Sequence, residues 1–418
     1  MKSQFISYAS IIGLIVGGSS AFGQGMQPAD ALPKLPVPSG PFGIGRVGYH
    51  WVDQSCPDQY SSDPKAHREL MVYFWYPTIE KSEDAKGSYL PGAKRMDTLP
   101  EIQRWMNREF GRNWAAITSG AIFSHAVERA PVLRRSQPLP VVVFSHGLGS
   151  SGFNYTCLIE DLASRGYVVA SIEHTYIASA VWFPDGRVVP RHTENPPAGL
   201  SSEERFKWTV ARAIDEISEG AADVRFVLDQ VRRAGGNTEQ LLLAGRLDLN
   251  RVAAMGHSAG AEFAARACQL DGRFKACVDL DGGMVPWAAL PEYPDGATLK
   301  QPLLFLEAYH PESQMAGTPA ERAAYFRKKE KQLQTLYPGS YAVTLKSTGI
   351  AHPSFSDIPL LSAGRDGFPE TSVVLHNLDL IEKYVRQFLD KDLNGQEAPL
   401  LDSANATSPE AAVKRYGR

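Results

Sequence analysis

Long blocks of one charge are missing from this chain of 418 residues, in which 43 lysines and arginines stand against 46 aspartates and glutamates for a formal charge of −3. A nonspecific nucleic-acid binder needs a cationic surface to displace counterions from phosphate, so no nucleic-acid partner is expected. Cysteine is scarce: Cys56, Cys157, Cys268 and Cys277 are the only four. That excludes a disulfide-stapled framework at this length, although an oxidising compartment would permit one or two bridges, whose pairing spacing does not reveal. Cys-x-x-Cys, His-Glu-x-x-His and Asp-rich calcium loops are absent, so neither a metal site nor a cofactor is expected. What is present is a composition of 43% hydrophobic and 21% charged residues, enough for a substantial core and incompatible with wholesale disorder.

The first residues, Met1-Lys2-Ser3-Gln4, carry one positive charge and lead into an apolar stretch from Phe5 to Val16 and then small residues. The stretch falls short of the roughly 20 apolar residues that span a bilayer and reads as a secretory leader, residues 1–23, cut after Gly23. A Pro-rich linker (24–39), one large domain (40–392) and a tail (393–418) rich in Ala, Ser, Asn and Pro complete the expected organisation. Both the linker and the tail are expected to be mobile.

Within the domain, strand-like apolar runs alternate with helical patterns. This predicts an α/β fold with a mostly parallel central sheet and helices on both faces. Strands are expected at Leu139–Ser145, Tyr167–Glu173, Arg251–Met255, Ala276–Leu280, Pro302–Leu306 and Tyr341–Lys346, with an early antiparallel strand at Arg68–Tyr76. Helices are expected at Tyr155–Ser164, Ser202–Arg233, Gly260–Leu270 and Val373–Leu389. Ser201 with Glu204 has capping-box spacing and places the start of the longest helix.

Gly256-His257-Ser258-Ala259-Gly260 fits Gly-x-Ser-x-Gly and falls between an expected strand and an expected helix. In the α/β-hydrolase fold that context makes the serine a nucleophile on a sharp turn, at a helix N-terminus whose free N–H groups favour an oxyanion. A serine hydroxyl needs a histidine to take its proton and an acid to orient that histidine, in the chain order serine, acid, histidine. His352 follows the last strand and is the expected base, with His310 the main competitor; His146, His174 and His257 read as packing or local hydrogen bonding. For the acid, Asp281 and Glu307 remain level, while Asp279 lies deeper along its strand. The oxyanion donors expected are the N–H groups of Ala259 and of Leu148 in His146-Gly147-Leu148-Gly149.

The chain resembles the lipoprotein-associated phospholipases A2, also called plasma-type platelet-activating-factor acetylhydrolases. The resemblance rests on Gly40-Pro41-Phe42-Gly43, Phe144-Ser145-His146-Gly147-Leu148-Gly149, Asp161-Leu162-Ala163-Ser164, Val169-Ala170, Glu173-His174, Gly256-His257-Ser258, Leu280-Asp281 with Met284 and Pro286, and His352 with Phe355 and Asp357, in family order across nearly the whole domain. It implies a calcium-independent serine esterase acting on short or oxidised sn-2 acyl chains of phospholipids. It also implies a Ser258, Asp281 and His352 triad, which favours Asp281 over Glu307, with Leu148 and Ala259 as oxyanion donors. Two departures, Ala259 for a phenylalanine and Gly282-Gly283 for Ala-Trp, predict less aromatic bulk and a wider pocket. A broad carboxylesterase or polyester hydrolase is therefore the alternative, and the triad groups would also serve a peptidase. A catalytically inactive binding module is the reading from another class, and such domains usually lose a triad member.

The family's lipid-facing helix corresponds to about Leu99–Phe123. Packing of Trp105, Phe110, Trp114, Ile117 and Phe123 against the domain is favoured there over contact with a lipid surface. Val181–Val189 reads as a hairpin over the pocket, and Asn154 and Asn405 begin glycosylation sequons.

Overall fold

A strand covered on both faces needs no polar alternation, and all seven residues of Leu139–Ser145 are buried. The computed structural model describes residues 32–80, 86–111, 113–234, 241–282, 299–311, 340–362, 368–402 and 407–416, with scattered positions between 318 and 334. The expected leader, Gly283, Met284, Pro286 and the Asn405 sequon lie outside these residues.

The strands are β1 (Gly43–Pro57), β2 (His67–Thr78), β3 (Lys86–Ser88), β4 (Phe123–Glu128), β5 (Leu139–Ser145), β6 (Val168–Glu173), β7 (Ala180–Trp182), β8 (Val188–Pro190), β9 (Leu247–His257), β10 (Ala276–Leu280), β11 (Leu303–Ala308), β12 (Tyr341–Leu345) and β13 (Ala411–Arg415). The helices are α1 (Ala93–Met96), α2 (Pro100–Phe110), α3 (Asn113–Ser119), α4 (Thr156–Ser164), α5 (Ser202–Ala234), α6 (Ala259–Leu270), α7 (Ile358–Leu361), α8 (Thr371–Asn394) and α9 (Pro399–Asp402).

One sheet of 11 strands runs β13-β12-β11-β10-β9-β5-β6-β2-β1-β4-β3, and β7 pairs with β8 in the expected hairpin. The stretch from β12 to β6 is parallel, whereas β2 lies antiparallel between β6 and β1. Side chains alternate across the sheet, so Val142 and Phe144 pack with α4 and α8 on one face. Val141 and Val143 pack with α5 and α6 on the other. This is the α/β-hydrolase arrangement.

The capping box at α5 forms as expected: Ser201 N–H donates to Glu204 Oε2 at 2.9 Å and Glu204 N–H to Ser201 Oγ at 3.3 Å. Ile217, Ala221, Val224, Leu228 and Val231 of its stripe are buried, but Val210 and Ile214 are only half-buried. A helix of 33 residues spans about 50 Å, far longer than these strands, so its first turns run past the sheet edge.

The expected mobile ends need correction. Beyond residue 392, α8 continues to Asn394, α9 follows, and β13 pairs antiparallel with β12, with Ala411 fully buried. Ala-rich composition hid an edge strand because only one of its faces has to be apolar. At the other end Leu35 is buried and Ser39 donates to Asp161 through both its N–H and its hydroxyl, so the end of the linker is pinned to α4. The described parts of both expected mobile segments are therefore packed against the domain.

Among the expected surface-helix residues Phe110, Trp114 and Ile117 are buried, Trp105 is half-buried and Phe123 is 52% exposed, so the stripe packs against the domain. Asn154 is buried and its amide donates to Ser150 Oγ, a poor position for a glycan. Cys268 and Cys277 form a disulfide between α6 and β10, and Cys56 and Cys157 are free. No described helix is long and apolar enough to cross a membrane.

Candidate active site

Ser258 is the single residue between β9 and α6, with φ 56° and ψ −126°. Side-chain sterics disfavour that conformation, and it persists only where the surroundings enforce it. Two glycines permit the close crossing. A Cβ on Gly256 would stand 2.1 Å from the Gly260 carbonyl oxygen, and one on Gly260 would stand 2.2 Å from that of Ser145. Ser258 N–H donates to the Leu280 carbonyl at 3.0 Å, tying the turn to the end of β10.

Asp281 comes directly after β10 and is also forced to positive φ, 50°. Its N–H donates to Leu306 O at 2.8 Å, and its Oδ1 accepts the Ala308 N–H at 2.9 Å, so β11 holds both its backbone and its carboxylate. Oδ2 accepts from His352 Nδ1 at 2.7 Å. Burial opposes ionisation of this carboxyl, yet hydrogen bonds from His310 and His352 outweigh it and hold its pKa well below the usual range. With Nδ1–H committed to Asp281, His352 Nε2 presents a lone pair.

The acids that spacing left level, and that the resemblance ranked with Asp281 first, separate in the structure. Glu307 accepts the Thr344 hydroxyl at 3.1 Å, and Asp279 accepts the Gly282 N–H at 2.7 Å, bracing the turn that carries Asp281. His310 also reaches Asp281, through Nε2 at 3.4 Å from Oδ1, but it is about half exposed and the contact is longer than that of His352. The Ser258 hydroxyl makes no hydrogen bond among the described residues. Catalytic hydrogen bonds in substrate-free enzymes are often open and close when substrate binds.

His352 is held against His257, the residue before the serine. The two rings lie 4.4 Å apart between centroids, and His257 Nε2 is 3.1 Å from the His352 carbonyl oxygen. A carbonyl only accepts, so Nε2 carries the proton and Nδ1 accepts from the Tyr155 hydroxyl at 2.8 Å. Burial, reinforced by His352, keeps the His257 pKa well below that of a free histidine.

Tyr155 in turn accepts the Gly147 N–H at 3.1 Å, and Gly149 N–H donates to Ile177 O at 2.9 Å. Between them, the N–H groups of Leu148 and Ala259 have no protein acceptor among the described residues. These are the two donors expected for an oxyanion. Gly147 sits against the serine, since a Cβ there would lie 3.3 Å from Ser258 Cβ.

Beneath this loop lies a second Ser-His-Asp chain. Ser145 Oγ is 3.0 Å from His174 Nε2, His174 Nδ1 is 2.8 Å from Asp223 Oδ2, and Arg68 holds Asp223 with two hydrogen bonds. All four side chains are buried, which denies them substrate and makes them scaffold. The His174 N–H donates to His146 Nε2 at 3.3 Å, and His146 Nδ1 donates to Gly147 O at 2.8 Å, so the chain ends on the oxyanion loop. Burial lowers the His146 pKa to about 3, which keeps it neutral for this role. Sequence spacing singled out neither Tyr155 nor Asp223, because both lie on elements that only the fold brings to the site.

The inference drawn from Gly282 is corrected. A Cβ on Gly282 would lie 2.5 Å from Ala261 Cβ, 2.7 Å from Asp279 Oδ1 and 3.0 Å from Ser258 O. Its missing side chain makes room for close packing against the elbow and does not widen a pocket.

Fold and site together define an α/β-hydrolase-fold ester hydrolase. A ferulic acid esterase from Streptomyces cinnamoneus superposes with a TM-score of 0.67 at 28% identity, over 92% of this chain and 99% of its own. The profile of the family described as platelet-activating factor acetylhydrolase, isoform II, matches residues 29–194 and 203–365, and the chain belongs to that family. Among curated relatives, a probable 1-alkyl-2-acetylglycerophosphocholine esterase of Arthroderma benhamiae is 24% identical over 91% of this chain and 95% of its own length. A platelet-activating factor acetylhydrolase of Gallus gallus is 22% identical over 79% of this chain and 75% of its own length.

Proposed function

We propose that this esterase works through Ser258, His352 and Asp281 on phospholipids with short or oxidised sn-2 acyl chains. The observation that carries the site is Asp281 Oδ2 at 2.7 Å from His352 Nδ1, with that imidazole packed at a tilt against the ring of His257, the residue preceding Ser258. His352 Nε2 takes the hydroxyl proton as Ser258 Oγ attacks the ester carbonyl, and Asp281 stabilises the imidazolium. The Leu148 and Ala259 N–H groups bind the oxyanion. Collapse releases the alcohol with the proton from His352, and water, deprotonated by the same base, then frees the acid. The substrate class rests on the acetylhydrolase and glycerophosphocholine-esterase relatives.

Secretion belongs to the same proposal, supported by the leader-like first 23 residues and by the Cys268–Cys277 disulfide. The ferulic acid esterase neighbour favours a second reading, a broader carboxylesterase that takes esters such as those of ferulic acid.

Ser258→Ala should abolish turnover of a short-chain phosphatidylcholine and remove the adduct that a fluorophosphonate leaves on the wild type, read by mass spectrometry. Undiminished turnover, or an adduct elsewhere, excludes the assigned nucleophile. Faster hydrolysis of feruloyl or simple aryl esters than of the phospholipid favours the second reading.

A further inference from the structure

A cation stands beside the oxyanion loop without a carboxylate to neutralise it. Arg191 follows β8, and its backbone is fixed by an N–H donated to Ser179 O at 3.1 Å. Its Nη1 lies 3.0 Å from where a Gly149 Cβ would be. Gly149 directly follows Leu148, so the guanidinium lies within roughly 10 Å of the Leu148 N–H. Its Nε is buried with no hydrogen-bond partner, and among the described residues Arg191 forms no ion pair. The charge acting on it is that of Glu216 on α5, which forms no ion pair with it.

Arg191 as a whole is half-buried, but its Nε is shut off from water, and a desolvated donor of a charged group left without a partner is costly. Its planar fork matches a phosphate or a carboxylate. We propose that Arg191 is a specificity-determining residue that takes an anionic group of the ester substrate, either the phosphate of its alcohol or a carboxylate ending its acyl chain. The proposal rests on Ser258 being the nucleophile, since that places the ester carbonyl at Leu148.

The test compares two pairs of esters on the purified full chain: a short-chain phosphatidylcholine with the matching uncharged diacylglycerol, and 4-nitrophenyl hydrogen glutarate with 4-nitrophenyl pentanoate. Arg191→Gln is expected to raise KM for the phosphate- or carboxylate-bearing member of at least one pair by about tenfold, while the members lacking an anionic group stay within about twofold. The responding pair identifies the source of the anion. Glu216→Gln removes the neighbouring negative charge without touching the guanidinium and should lower the same KM. Equal changes on charged and neutral members, or none, in Arg191→Gln overturn the proposal. If that variant does not fold, an unchanged KM for both anionic esters in Glu216→Gln does so. Wild-type turnover of the neutral esters and its loss in Ser258→Ala report separately on the assigned nucleophile.

Discussion

His257 Nε2 donates to the backbone carbonyl of His352 at 3.1 Å, so the residue before the candidate nucleophile holds the loop of the candidate base. Through Tyr155 the same imidazole is joined to Gly147 at the foot of the oxyanion loop. The candidate base and the loop of the candidate oxyanion donor Leu148 thus share one hydrogen-bonded bridge.

Tyr155→Phe removes both ends of that bridge and keeps the ring. The expected result is a fall in kcat of about tenfold with KM within about twofold, because the hydroxyl positions groups that matter in the transition state and touches no substrate. Steady-state kinetics on a neutral aryl ester check this. A rise in KM with kcat unchanged would assign Tyr155 to substrate binding instead.

Asp281→Asn should lower kcat by about 10³ to 10⁴, the range for losing the acid that orients a catalytic histidine. Glu307→Gln should leave kcat nearly unchanged, because Glu307 faces Thr344. The two variants measured side by side decide between the acids.

Gly282→Ala should destabilise the protein by about 1–3 kcal/mol, as the added methyl has only 2.5 Å to Ala261 Cβ and 3.0 Å to Ser258 O. Because the displaced atoms belong to the elbow, kcat should fall as well. Urea unfolding with parallel assays would show it, and unchanged stability with a loss of activity confined to bulkier esters would restore the wider-pocket inference.

Asp357 is buried, accepting from Tyr89 OH at 3.1 Å and from Cys157 N–H at 3.3 Å, and burial pushes its pKa up to about 7. A carboxyl raised in the folded state contributes stability that is full below its unfolded pKa, near 4, and is lost as pH rises through about 7. Burial raises Glu173 to about 8, with the same sign. Thermal melting of the wild type should therefore lose stability from these two groups between pH 4 and 8. In Asp357→Asn, which cannot ionise, Tm should decline less over that window, by roughly 2–8 °C. Parallel melting curves of the two proteins would remove Asp357 from this role.

Much of the site was legible because it is local. Gly256 to Gly260 specify a strand-to-helix turn by their own sterics, and the Val-rich run at Leu139–Ser145 and the stripe of α5 carry their periodicities within a few residues. β1 was not legible. Gly45 and Gly48 weaken its pattern, and they fit a strand because they lie opposite Tyr76 and Tyr73 of β2, whose rings occupy the space a side chain would need.

Sequence by itself determined the alternating α/β order, the elbow at Ser258 and the short set of residues able to serve it, since these follow from periodicity and backbone sterics within one segment. Residue patterns left Asp281 and Glu307 level until the family resemblance favoured Asp281, and the tertiary structure shows Asp281 meeting His352; tertiary structure alone decided that Tyr155 bridges two loops, that Cys268 pairs with Cys277 and that β13 closes the sheet edge. Each of these depends on distance between segments remote in the chain, and the register of parallel strands, set by burial over the whole sheet, fixes those distances.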